Sequence, residues 1–245
     1  MSTILVHYTA AAVTDRGRKR PSNEDAFGYS VERGVYLLCD GMGGAAAGEI
    51  ASSLAVDEVL RLLGDEEMAA LPHTRAEAAI EAANQAIFSR SQRNPRLAGM
   101  GTTLVLLVAE EDRAWLYNVG DSRAYRLRGQ RLEQLTLDHS LVEEQVRLGR
   151  MTPEEALRSP LRNVITRALG TQDRVTPDVF PLDVEPGDLF LLCSDGLTRE
   201  LSDELIESLL RLDLALDELC GRLVHVANKA GGQDNITCLL VRALV

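Results

Sequence analysis

The sequence predicts an α+β fold in four layers, α-β-β-α: two antiparallel sheets packed face to face, with a helix pair on each outer side. Three observations carry that expectation. Short β-branched and aromatic runs recur along most of the 245 residues. Tight polar turns separate several of them, and strands joined by tight turns run antiparallel. Helical periodicity comes in two paired blocks, not strand by strand as a doubly wound parallel sheet requires.

In chain order, strands are expected over Ile4 to Val13, Ala26 to Val31 and Val35 to Cys39. Apolar residues at Ile50, Leu54, Val59, Leu60 and Leu63, then from Ala76 to Ala86, follow helical spacing and form the first helix pair. Thr102 to Val108 and Ala114 to Val119 flank the turn "EEDR" at 110 to 113, and Ala124 to Arg128 runs into the turn "RGQR" at 128 to 131. After a polar helical segment near 139 to 160 comes the strand Leu189 to Cys193. Helical spacing at Leu205 to Leu209 and Leu216 to Val226 supplies the second pair before a closing strand, Ile236 to Val241.

With 45% hydrophobic residues the chain can bury a substantial core. It has no Pro/Gly/Ser-rich linker and no internal repeat, so a single domain over 1–245 is expected. The start, "MSTILVHYTAAAVTDRG", lacks a basic leader with a cleavable apolar core and is too short in apolar length for a bilayer, which predicts a cytoplasmic protein. Cys39, Cys193, Cys220 and Cys238 show no C-x-x-C spacing and sit mostly in apolar runs, as reduced core residues do. Net charge is −11, from 26 basic and 37 acidic residues. That balance repels nucleic acid and anionic membranes, and a phosphate-bearing substrate then needs a bound cation or a placed arginine.

Acidic residues recur beside turns at the edges of expected strands: "NED" at 23 to 25, "DG" at 40 to 41, "GDS" at 120 to 122, "SDG" at 194 to 196 and "QDN" at 233 to 235. Any one of these reads as an ordinary turn. If the edges meet, five or six carboxylates share one cleft, and their repulsion demands a compensating cation. Hard oxygen donors suit magnesium or manganese better than zinc. Glycine after aspartate lets a backbone carbonyl approach a metal closely. Arg20, four residues before Glu24, offers a fork that can grip two phosphate oxygens.

Rival motifs are weaker. "CSDGLTR", Cys193 to Arg199, fits the C-x-x-G-x-x-R loop of thiolate-dependent phosphatases, but Asp195 inside that loop repels phosphate. "GMGGAA", Gly41 to Ala46, fits a dinucleotide fingerprint, yet Asp40 abuts its first glycine and no second strand follows at the right distance. His7, His73, His139 and His225 share no motif and read as structural.

Taken in series, "TDRGRKRPSNEDAFG", "LLCDGMGGAAAGEIAS", "GMGTTLVLL", "YNVGDSRAYRL", "LTLDHSLVEEQVRLGRMT", "RNVITRALG", "LFLLCSDGLT" and "GGQDNITCLLV" resemble the metal-dependent protein serine/threonine phosphatases, type 2C, in their compact bacterial form. The resemblance implies an α-β-β-α sandwich with Mn²⁺ or Mg²⁺ in a cleft at one end. It implies that Asp40 bridges two ions, that Asp195 and Asp234 hold one, and that the Gly41 carbonyl and Glu24 serve the other, with Asp25 steadying the shell. Asp121 with Asp195 matches a weaker third site, Arg20 binds the substrate phosphate, and residues 138–166 form a flap beside the cleft. Catalysis then rests on Arg20, Asp40, Asp195 and Asp234. Two departures stand out: Ala45 and Ser159 occupy positions where relatives often carry histidine.

The function so implied is hydrolysis of phosphoserine and phosphothreonine in proteins by metal-activated water, opposing a bacterial Ser/Thr kinase, by a monomer. The alternatives are a cysteine-dependent phosphatase using Cys193 and a non-catalytic phosphoprotein-binding module.

Overall fold

The computed structural model describes residues 6–43, 47–64 and 70–245. Ala45, and Ile4 at the start of the first expected strand, lie outside the described residues. The first half of the chain forms β1 (His7–Asp15), β2 (Asp25–Ser30), β3 (Val35–Met42), α1 (Ala47–Leu63), α2 (Pro72–Arg93), β4 (Gly101–Thr102), β5 (Leu104–Glu110) and β6 (Arg113–Val119). There follow β7 (Arg123–Arg128), β8 (Arg131–Gln134), α3 (Leu141–Arg147), α4 (Pro153–Arg158), β9 (Asp178–Asp183) and β10 (Leu189–Cys193). The chain closes with α5 (Asp195–Thr198), α6 (Asp203–Leu210), α7 (Leu216–Ala230) and β11 (Ile236–Leu244).

One sheet has the order β1-β11-β10-β7-β8, the other β2-β3-β5-β6-β9 with β4 paired to β3. Every strand pairing among the described residues is antiparallel. Alternation along each central strand explains the layering, because successive side chains point to opposite faces. Tyr36 and Leu38 of β3 meet Phe190 and Leu192 of β10 in the core between the sheets. Leu37 and Cys39 turn the other way, under α1 and α2. Leu191 and Cys193 likewise pack under α6 and α7. Central strands buried on both faces read as continuous apolar runs, and this is why they stand out in the sequence.

The four layers therefore match the expectation, while several short elements do not appear in it. β9, "DVFPLD", carries Pro181 and alternates between exposed and half-buried residues. It lies at a sheet edge, where proline is tolerated because the ladder on one side is unused. β8 is a polar edge strand, and β4 and α5 span only two and four residues. The segment between β8 and β9 holds α3 and α4, each started by a side-chain cap: Ser140 takes the Glu143 N–H, and Thr152 and Glu155 form a reciprocal capping box. Ser159 ends α4 in a turn, its N–H donating to the Ala156 carbonyl at 3.1 Å. Among the described residues no helix is long and apolar enough to cross a membrane.

Candidate active site

Antiparallel pairing gathers strand ends that are far apart in sequence. Asp25, the first residue of β2, stands opposite Asp40 near the end of β3. In the other sheet Cys193 ends β10 beside Cys238 of β11, so Asp195 and Asp234 leave at the same edge. The site is therefore built from both sheets at one end of the sandwich.

Hydrogen bonds from backbone and side chains fix the elements that carry these carboxylates. The Asp40 N–H donates to Thr103 Oγ1 at 2.9 Å, and the Asp40 carbonyl accepts from Thr103 N–H and Thr102 Oγ1, both at 2.9 Å. Gly41 N–H donates to the Glu24 carbonyl at 3.1 Å. A Cβ at Gly41 would lie 2.2 Å from the Gly48 carbonyl oxygen and 2.5 Å from that of Glu24, so only glycine fits. Asn235 ties the loop carrying Arg20 and Glu24 to the start of β11. Its Nδ2 donates to the carbonyls of Arg16 at 3.0 Å and Ser22 at 2.9 Å, while its Oδ1 accepts the Glu24 N–H at 2.8 Å. Asp25 is buried, and its Oδ2 accepts from Ser194 Oγ at 2.8 Å and Thr237 Oγ1 at 2.6 Å.

Arg20, Glu24, Asp40, Gly41, Asp195 and Asp234 all line one cleft of about 320 Å³. Asp25 backs it from within, and Asp121 lines an adjoining cavity of about 560 Å³ that shares Asp195 and Arg199 with the cleft. The structure thus brings every expected site residue to this end of the molecule. It adds Arg199, whose guanidinium contacts Asp195 and, at 3.2 Å, Asp234. The sequence signal for Arg199 was its i+4 spacing from Asp195, which matters only once that turn is helical. Arg20 Nη2 donates to Asp234 Oδ2 at 2.6 Å.

Electrostatics in the cleft follow from burial and crowding. Burial first, then neighbouring carboxylates, pushes Asp40 and Asp195 well above the usual carboxylate range. Burial raises Asp25 to about 6 against hydrogen bonds from Thr237 and Ser194, and raises Asp121 to about 6 against the Arg199 charge. Burial also raises Glu24. For Arg20, burial disfavours the charge, but Asp234 outweighs it and lifts the pKa.

Three buried carboxylate oxygens, Asp25 Oδ1, Asp121 Oδ1 and Asp195 Oδ1, accept no hydrogen bond. A buried, unpartnered carboxylate oxygen is costly unless something else takes its charge. Among the described residues, no group of three or more His, Cys, Asp or Glu side chains is arranged as it stands to hold a metal ion. The charge facing Asp195 and Asp234 is guanidinium instead. The donor set is nevertheless all oxygen, in surplus over the arginines, and fits a hard divalent cation.

The thiol reading fails on geometry. Cys193 is fully buried against the α6 and α7 side, and burial pushes its thiol far above the ordinary value, so no thiolate faces the cleft. The four cysteines are free and buried, as their apolar contexts predict. His7 and His225 are exposed and His73 stacks on Trp115 at 3.8 Å, whereas His139 is buried and reaches the Gly120 amide beside Asp121.

Comparison with known proteins agrees with this architecture. Residues 15–241 match the family model of protein phosphatase 2C. The chain is 40% identical over 238 residues to the serine/threonine phosphatase stp of Listeria monocytogenes, covering 93% of each. It is 40% identical over 234 residues to the protein phosphatase PhpP of Streptococcus pneumoniae, covering 94% of this chain and 95% of that one. Among solved structures, the Mycobacterium tuberculosis serine/threonine phosphatase PstP/Ppp superposes with a TM-score of 0.90 at 38% identity, over 99% of this chain and 100% of that one. A second PstP structure, of the catalytic domain in complex with two manganese ions, gives 0.89 at 38% identity over 98% and 100%. With a family match along nearly its whole length and relatives at this identity over more than nine tenths of it, the chain belongs to the protein phosphatase 2C family.

Proposed function

We propose that this chain is a metal-dependent protein serine/threonine phosphatase, hydrolysing phosphoserine and phosphothreonine in phosphorylated proteins. The observation that carries the reading is the convergence of Asp40 from one sheet with Asp195 and Asp234 from the edge of the other in one cleft, where Asp195 and, behind it, Asp25 leave buried carboxylate oxygens without a hydrogen-bond partner. Mn²⁺ or Mg²⁺, two ions in the core site, supplies Lewis acidity and activates water there when bound. Asp40 would serve both ions, Asp195 and Asp234 one of them, and Glu24 with the Gly41 carbonyl the other. Asp25 would brace this shell from behind, and Asp121 with Asp195 would offer a third, weaker position.

The remaining work falls to the chain's own side chains. Arg20 is half-exposed at the cleft mouth, with Asp234 within 2.6 Å, so its fork is held at the place where phosphoryl oxygens would arrive. Aspartates fixed by backbone bonds keep the cleft preorganised, which lowers the cost of meeting the charge that builds as the serine or threonine oxygen leaves. No nucleophilic side chain is required, and buried Cys193 offers none. On the same reading the chain is one catalytic domain with residues 138–166 as a flap. It acts as a monomer in the bacterial cytoplasm, against proteins phosphorylated by a Ser/Thr kinase.

Turnover of a phosphothreonine peptide by the purified chain tests this. Activity should vanish with a chelator and return with Mn²⁺ or Mg²⁺. Chelator-resistant activity that disappears in Cys193→Ser would overturn it in favour of the thiolate route, and binding without turnover would favour a phosphoprotein-binding module.

A further inference from the structure

We propose that His139 is a positioning residue for this site, holding the Gly120–Ser122 loop so that Asp121 and, through Thr103, Asp40 keep their places. The inference rests on the phosphatase reading above and assigns a role to a residue that its sequence context leaves as structural. His139 is buried, 8% exposed, at the root of the segment that carries α3 and α4. Its backbone ties that segment's two ends to each other and to the β6–β7 loop: His139 N–H donates to the Gly120 carbonyl at 2.9 Å, and its carbonyl accepts the Thr166 N–H at 2.8 Å.

The ring makes the decisive contact. Gly120 N–H donates to His139 Nδ1 at 3.0 Å, so backbone and side chain of one histidine grip both polar groups of one glycine. An Nδ1 that accepts requires the ring proton on Nε2. Nε2 faces Asp178 Oδ2 of β9 at 3.2 Å, and Asp178 Oδ1 is paired with Arg167 at 2.6 Å. Burial lowers the His139 pKa, in keeping with a neutral ring. On its other flank, Asp138 is held by Arg123 through Nε at 2.9 Å and Nη2 at 2.7 Å.

From Gly120 the connection to the cleft is short. Gly120 has φ +109°, and a Cβ there would sit 2.6 Å from the Thr103 Cγ2, so the loop lies directly on Thr103. Ser122 Oγ and Thr103 Oγ1 share a hydrogen bond of 2.7 Å, and Thr103 Oγ1 is also the acceptor for the Asp40 N–H. His139, Gly120, Thr103 and Asp40 therefore form one contiguous set of contacts, with Asp121 inside the loop. Second-sphere partners of metal-binding carboxylates and imidazoles typically influence affinity or rate by ~10- to 100-fold.

The test compares His139→Ala, His139→Asn and His139→Gln in the full chain. Asparagine places Oδ1 near the position of Nδ1 and can keep the Gly120 bond; glutamine reaches toward the Nε2 position and cannot. With p-nitrophenyl phosphate and a phosphothreonine peptide at saturating Mn²⁺, Ala and Gln should lose about tenfold or more in kcat with KM for the small ester nearly unchanged. Asn should recover most of that loss. In ¹H–¹⁵N spectra the Gly120 amide should keep its position in Asn and move in Ala and Gln. Equal losses in Asn and Gln, or a Gly120 amide unmoved by Gln, overturn the proposal, and this comparison stands even if Ala fails to fold. A wild-type chain that turns over neither substrate sinks the phosphatase reading separately. The positioning claim is then decided by calorimetric Mn²⁺ affinity, where equal values for wild type, Asn and Gln overturn it.

Discussion

Asp25 and Asp40 stand directly opposite one another in the antiparallel register of β2 and β3, and both are pushed toward protonation. Like charges in that position destabilise a sheet unless a cation intervenes. Asp25→Asn should therefore leave the metal-free chain as stable as wild type or more so, while reducing the stabilisation that Mn²⁺ confers. Thermal unfolding with and without Mn²⁺ reads both halves; a large loss of metal-free stability would contradict the account.

The same carboxylates set a pH dependence of unusual sign. Asp25 and Asp121 titrate near 6 in the fold against an ordinary aspartate value of 3.8, so the folded chain binds more protons than the unfolded one between those values. Their contribution is then fully present below about 4 and is lost as pH rises through about 6. Metal-free protein should accordingly gain stability from these groups as pH falls from 7.5 toward 5, and saturating Mn²⁺ should remove that trend. Urea unfolding across this range checks it.

Arg199 competes for the same oxygens as a metal would. It contacts Asp195 and lies 3.2 Å from Asp234, with about a quarter of its side chain exposed. Arg199→Ala should lower the melting temperature of metal-free protein and tighten Mn²⁺ binding by about threefold to fivefold, the scale of a partly screened ion pair worth up to ~1 kcal/mol. Calorimetric titration measures the second effect; weaker binding in the variant would refute it.

Asn235 holds the loop of Arg20 and Glu24 by three side-chain hydrogen bonds. Asn235→Ala strands two carbonyls and an N–H in a half-buried place, at a cost of roughly 2 to 3 kcal/mol. The loop that carries Arg20 should loosen with it, raising KM for a phosphopeptide more than it lowers kcat. Denaturant unfolding and steady-state kinetics test the two parts independently.

The layered fold was legible because β3, β5, β10 and β11 are central strands, apolar on both faces, and because the helix pairs fall in two blocks. β8 and β9 escaped because edge strands need less apolar content, and Pro181 argues against a strand where an edge permits one. In the site, Asp40, Asp195 and Asp234 could be read from a physical oddity, acids abutting core strands. Arg199 and His139 could not, since each matters through partners, Asp234 and Gly120, that only the folded chain brings near. Gly41 was legible as a glycine, but the reason for it, the carbonyls of Gly48 and Glu24 crowding its α-carbon, is a tertiary fact.

Asp25 belongs to one sheet, and the hydroxyls on its Oδ2 come from the other side of the sandwich, Thr237 within β11 and Ser194 just past the end of β10. That stitch clamps the two halves together beside the cleft, so the gap between Asp40 and its counterparts Asp195 and Asp234 is gauged by the apolar filling between the sheets, Phe190 and Leu192 against Tyr36 and Leu38. These side chains act as a shim. Thinning it at Phe190 would shift the opposing carboxylates relative to each other, so the site's geometry depends on an interior that meets neither substrate nor solvent.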